Sequence, residues 1–149
     1  MATINPYLMF NGNCEEAFNF YKSVFGTDFC SVSRFKEMPS SPDYPPLPAE
    51  YENLIMHISL RTDKKGEGPH LMGGDYCEAM GAPAFVAGNN FSISINVNSE
   101  EEANKLFGGI SAGGQVTMPL SKQFWGGYWG MCNDKFGIAW QVSFFEKQQ

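Results

Sequence analysis

The sequence predicts an α+β fold made of two copies of one module, strand, helix, strand, strand, strand, and three observations carry that reading. An apolar stripe at helical spacing, Ala17, Phe20, Tyr21 and Val24, returns 86 residues later as Ala103, Leu106, Phe107 and Ile110. A capping-box pair precedes each stripe, Asn13 with Glu16 and Ser99 with Glu102. Alternating strand patterns flank both stripes, with Phe91, Ile93, Ile95 and Val97 set between Ser92, Ser94 and Asn96 in the second copy. The 149 residues suit one domain, with module one at 1–76, a linker at 77–90 and module two at 91–149.

Taken in order, Asn5 to Asn11 reads as a strand that Asn11-Gly12-Asn13 breaks, and the first helix starts near Cys14 and stops at Gly26. A strand from Phe29 to Phe35 follows. Met38 to Pro48 holds five prolines, which neither a helix nor a central strand tolerates, so it is a loop. Leu54 to Leu60 alternates Leu54, Met56, Ile58 and Leu60 with Ile55, His57 and Ser59, the period of a half-buried strand. Thr62 to Gly68 turns the chain into a short strand from His70 to Gly73. Ala79 to Asn90 is rich in Gly and Ala and links the copies, and the second helix starts near Glu100. The last strands fall at Gln115 to Met118, Tyr128 to Cys132 and Ile138 to Phe144, with Asp134 and Gly137 shaping the final turn.

Composition excludes several classes. A net charge of -6 without clustered Lys and Arg argues against nucleic acid. No run of eighteen apolar residues and no secretory leader pattern occurs, so a cytoplasmic protein with no membrane span is expected. Four dispersed cysteines without a CxxC fit reduced thiols better than a zinc knuckle or a disulfide framework. No Gly-x-Ser-x-Gly elbow and no phosphate loop is present.

The run from Trp129 to Gln141, W-G-x-x-x-D-x-F-G-x-x-W-Q, the opening P-Y-L-x-F-x-G at Pro6 to Gly12, and the Phe20-Tyr21…Gly26 helix end resemble the PhnB-like branch of the vicinal oxygen chelate superfamily, relatives of glyoxalase I and the bleomycin-resistance proteins. The resemblance spans essentially the whole chain. It implies two βαβββ modules whose curved mixed sheets surround a cavity, helices outside, and a homodimer that binds a small molecule. If Ile93, Ile95 and Val97 lie under the helix, Ser92, Ser94 and Asn96 face the cavity, and the 86-residue shift sends Pro6, Leu8 and Phe10 inward as well. On the closing strands Gln141, Ala139 and Ser143 face in, with Met72 matching Gln141 and His70 matching Ala139.

Glyoxalase-like members hold a divalent metal with His or Glu at one inward position on each of four strands. Here the matching positions read Pro6, Met72, Ser92 and Gln141, so the usual site is absent, no cofactor is predicted, and a divalent metal there would be the exception. His57 and His70, the two histidines, would meet at one ligand if both point inward, with Asp75 either orienting one of them or forming a turn. Trp125 and Trp129, with Phe124, form either an aromatic lid over a flat ligand or ordinary packing. The expected function is metal-free small-molecule binding, with His57, His70, Ser92, Ser94, Gln141, Trp125 and Trp129 as cavity candidates. The alternative is a metal-dependent lyase, isomerase or dioxygenase of the glyoxalase type using His57 and His70. Relatives of this branch often carry a demethylubiquinone methyltransferase label, but no glycine-rich S-adenosylmethionine loop supports that chemistry here.

Overall fold

In each half, apolar residues at period two and apolar residues at period 3.6 bury each other, and the computed structural model, which describes residues 2–146, shows both arrangements. The ends of the 1–149 span, residue 1 and residues 147–149, lie outside the described residues. The chain divides into two compact units, Met1–Ala87 and Gly88–Gln149. No described helix is long and apolar enough to cross a membrane.

The first unit holds β1 (Tyr7–Phe10), α1 (Cys14–Phe25), β2 (Phe29–Arg34), β3 (Ile55–Arg61) and β4 (His70–Asp75). Its sheet runs β1-β4-β3-β2, parallel between β1 and β4 and antiparallel elsewhere. The second unit repeats this with β5 (Ile93–Val97), α2 (Glu100–Ser111), β6 (Gln115–Lys122), β7 (Gly127–Asn133) and β8 (Ala139–Phe145), in the order β5-β8-β7-β6. This is the expected α+β class, two mixed four-stranded sheets with one helix each. The proline-rich segment is a loop, and three short 3-10 turns, Phe35–Glu37, Ala49–Tyr51 and Glu78–Met80, join the irregular stretches.

The core of the first unit lies between α1 and one sheet face. Cys14, Ala17, Phe18 and Tyr21 are buried on the helix, against Leu8, Phe10, Ile58, Leu60 and Leu71 from the strands. The buried stripe therefore includes Phe18 where periodicity favoured Phe20, which is half-buried. Phe18 fits because Gly73 lies beneath it: a Cβ there would stand 2.7 Å from the Phe18 ring and 2.6 Å from the Leu8 carbonyl. In the second unit Ala103, Phe107 and Ile110 face Trp140 and Val142, with α2 packed mainly on β8, and Leu106 is half-buried.

The two helices begin differently. Ser99 caps α2 as expected, its hydroxyl accepting from the Glu102 amide at 3.1 Å, while the Glu102 carboxylate reaches back to the Asn98 amide at 3.0 Å. Asn13 makes no side-chain cap. Its place is taken by Asp75, a buried carboxylate at the end of β4, which accepts from the Cys14 amide at 2.9 Å and the Ile55 amide at 2.8 Å. Asp75 is thus neither a turn residue nor an orienter of histidine; it ties α1, β3 and β4 together. A carboxylate held at the first turn also suits the helix dipole.

The repeat also slips by one residue. The helices superpose at a shift of 86, but three residues separate Phe10 from Cys14 and only two separate Val97 from Glu100. Strand parity therefore reverses between the copies, as any one-residue slip must cause. Leu8 and Phe10, 2% and 4% exposed, lie in the core under α1, whereas Tyr7 and Met9 occupy the opposite face. The expectation that Pro6, Leu8 and Phe10 face away from the helix is corrected accordingly.

Candidate functional site

Adjacent residues on a strand point to opposite faces, and β8 uses this to separate core from site. Trp140 is 1% exposed on the α2 side, and its indole N–H donates to the Asp134 carboxylate at 2.9 Å. Asp134 also accepts from the Phe136 amide at 2.8 Å and the Ile138 amide at 3.0 Å, so it builds the final turn and anchors Trp140 together. Gly137 in that turn has φ 85°, the left-handed conformation that favours glycine. Gln141 points the other way.

On that helix-free face, the Gln141 amide donates to the Ser92 hydroxyl at 2.6 Å and its carbonyl accepts from the Trp129 indole at 3.1 Å. The next inward pair repeats the theme, Ser143 donating to Asn96 at 2.6 Å. Ser94 is the register partner of Gln141 and shares the face. Trp125 stands edge-on to Trp129 with ring centroids 6.2 Å apart and lies 5.7 Å from Phe145. Trp125 occupies this place because position 127 is glycine: a Cβ there would come within 2.0 Å of the indole. Ser92, Ser94, Gln141, Trp125 and Trp129 are therefore brought together, and Phe124, fully exposed, extends from the same loop. The face is polar, aromatic and uncharged. Gln141 has one amide hydrogen and one carbonyl lone pair beyond those two bonds, enough to exchange a pair of hydrogen bonds with a ligand.

The corresponding face of the first unit carries the two histidines, but they do not meet. His57 lies beside Tyr7, with Nδ1 3.3 Å from the phenol oxygen and the rings 5.7 Å apart. His70 is the register partner of Arg61, four residues along β3 from His57, so the two backbone positions stand roughly 13 Å apart along the sheet at strand rise. Its Nδ1 is 3.1 Å from the Ser59 hydroxyl and its Nε2 3.9 Å from the Cys30 sulfur. Sequence reasoning missed Tyr7, Ser59 and Cys30. Their closeness to the histidines depends on strand order and on a bulge in β2, neither of which leaves a local signal.

The four-strand metal positions can be read again with the register in hand. Tyr7 pairs with Met72, and Ser94 with Gln141. Whether the β1 position is taken as Tyr7 or as Asn5, whose side chain accepts from the His70 amide at 2.9 Å, no carboxylate or imidazole stands at these places. Burial, with the Cys14 thiol adding to it, pushes the Tyr7 phenol above its ordinary value, so it stays a neutral donor. Among the described residues no three His, Cys, Asp or Glu side chains are grouped as a metal centre requires. This donor set does not fit a hard divalent cation.

Comparison with known proteins places this geometry. A family profile described as 3-demethylubiquinone-9 3-methyltransferase matches residues 2–143. The crystal structure of protein PA1353 from Pseudomonas aeruginosa is similar over 97% of this chain and 98% of its own, at 36% identity and TM-score 0.81. A putative 3-demethylubiquinone-9 3-methyltransferase, PhnB protein, from Bacillus cereus covers 96% of this chain and 99% of its own at 27% identity, TM-score 0.71. At the level of fold, a glyoxylase/bleomycin resistance protein/dioxygenase domain from Frankia sp. EAN1pec covers 100% of this chain and 95% of its own at 11% identity, TM-score 0.67. The chain belongs to the PhnB-like family that carries the 3-demethylubiquinone-9 3-methyltransferase description, and it shares its fold with glyoxylase/bleomycin resistance protein/dioxygenase domains.

Proposed function

We propose that the protein binds a neutral small molecule on the helix-free face of its second module and does so without a metal at the four-strand position. The observation that carries this reading is the Gln141 amide, held between the Trp129 indole and the Ser92 hydroxyl with no charged side chain in the network. An amide fixed on both sides presents its remaining donor and acceptor in a set direction, and the Trp125, Trp129 and Phe145 rings offer flat apolar contact beside it. Charged ligands would lose hydration there without an ionic partner.

Quenching of tryptophan emission tests the reading, using a panel of uncharged planar compounds with matched carboxylate and ammonium analogues. Saturable quenching by uncharged members, lost in Gln141→Ala, is the expected result; preference for the charged analogues would overturn it. The same reading pairs the chain with a second copy, for which the exposed Val116 and Met118 of edge strand β6 supply apolar surface. Light scattering at micromolar concentration should return twice the 16.6 kDa chain mass, and a monomer would rule the pairing out.

A further inference from the structure

Three side chains from three strands of the first unit form a constellation that the ligand face of the second unit does not use. Cys30 is the exposed one of the four free cysteines; Cys14, Cys77 and Cys132 are buried. Its place on β2 is not that of an ordinary strand residue. The register of β2 on β3 jumps from Phe29↔Leu60 to Ser31↔Ser59, so Cys30 is the extra residue of a β-bulge. Bulges re-aim a side chain, and this one brings the thiol to 3.9 Å from His70 Nε2, across the intervening strand. The other imidazole nitrogen, Nδ1, is 3.1 Å from the hydroxyl of Ser59, which is only 4% exposed and therefore fixed in place. The order thiol, imidazole, buried hydroxyl is that of a nucleophile, a base and a group that orients the base.

We propose that Cys30, with His70 as base and Ser59 as positioning residue, is an addition site for soft, electron-poor alkenes of the α,β-unsaturated carbonyl class. The balance is simple. His70 Nε2 takes the thiol proton while the Ser59 oxygen accepts from Nδ1–H. The Cys30 sulfur forms a bond to the β-carbon, and the alkene π pair moves onto the carbonyl as an enolate. The imidazolium then returns the proton to the enolate carbon. Nothing is oxidised or reduced and no group leaves. The geometry suits addition, because one base serves both proton movements and no leaving group has to be protonated or expelled. The product is a thioether on Cys30, so the site captures its electrophile.

N-ethylmaleimide, itself an unsaturated dicarbonyl, is a direct probe. Intact-mass and peptide analysis of the full chain at pH 7 should show one adduct per chain, on Cys30, forming about tenfold faster than in the same chain unfolded in urea, as an activated thiol does. His70→Gln should bring the rate down to the unfolded value, Ser59→Ala should give an intermediate rate, and Ser59→Thr, which keeps the hydroxyl, should restore it. Circular dichroism of each variant confirms that the fold is kept. Cys30→Ser removes the adduct. Equal rates for the wild type and His70→Gln would overturn the proposal, as would first labelling at Cys14, Cys77 or Cys132. Failure of the Gln141 ligand site would leave this result untouched, because the two faces belong to different units.

Discussion

The two modules share an architecture and differ in what they place on their helix-free faces. Module one presents imidazoles, a phenol and a thiol, each in a separate pair or trio; module two joins an amide, a hydroxyl and an indole in one network. The helix starts differ in parallel. α2 is capped from its own sequence by Ser99, whereas α1 is capped from across the sheet by Asp75. A duplicated fold can therefore conserve its topology while redistributing both its structural and its chemical polar groups. Where the cap is local the module keeps a sequence signature, and where the cap is long-range it does not.

The sharpest way to break this comparison is to remove the two caps. Asp75→Ala leaves two buried amides without partners, at about 1–3 kcal/mol each, so urea unfolding should show a loss of roughly 2–6 kcal/mol. Ser99→Ala removes a local, exposed cap and should lose about 1 kcal/mol. Equal losses would erase the distinction between the modules.

What was legible in the sequence follows the same division. Alternation on β5 and β8 assigned Ser92, Ser94, Gln141 and Trp140 to their sides because each strand is regular and its residues alternate in exposure. Parity failed on β1 because one extra residue separates that strand from its helix, a change too small to disturb the helical stripe that defined the repeat. Asn13 looked like a cap by residue type, yet a carboxylate sixty-one residues beyond Cys14 in sequence occupies that role. The separation of His57 from His70, and the approach of Cys30 to His70, are register facts. Periodicity shows which face a residue takes; it does not show which residue on the next strand lies beside it.

A smaller perturbation sharpens the aromatic half of the site. Gly127→Ala places a methyl group where the Trp125 ring now lies, so the exposed indole must move while the core is spared. Tryptophan emission and near-ultraviolet circular dichroism should change, with stability reduced by about 1 kcal/mol, the central cost of a single substitution. Unchanged spectra would mean that Trp125 does not rest on the strand.

The smallest effect lies at alkaline pH. Burial, with the Asp134 charge adding to it, pushes the Cys132 thiol from its ordinary 9.0 up to about 11. Folding thus favours the protonated thiol: its contribution is intact below pH 9 and is lost as pH rises toward 11. Stability should decline across that window, less steeply in Cys132→Ala. Equal slopes in the two proteins would mean that the thiol is not held neutral by the fold.

The central claim is that neighbouring residues on β8 divide the labour, Trp140 holding the fold and Gln141 serving the ligand face. Equilibrium urea unfolding of Trp140→Ala and Gln141→Ala tests it most directly. Trp140→Ala should lose about 3–5 kcal/mol, a large-to-small change in a buried site that also removes a partner of Asp134. Gln141→Ala should lose only about 1 kcal/mol, the net worth of side-chain hydrogen bonds at a half-buried position. Losses in the reverse order, or of equal size, would contradict the assignment of these two faces.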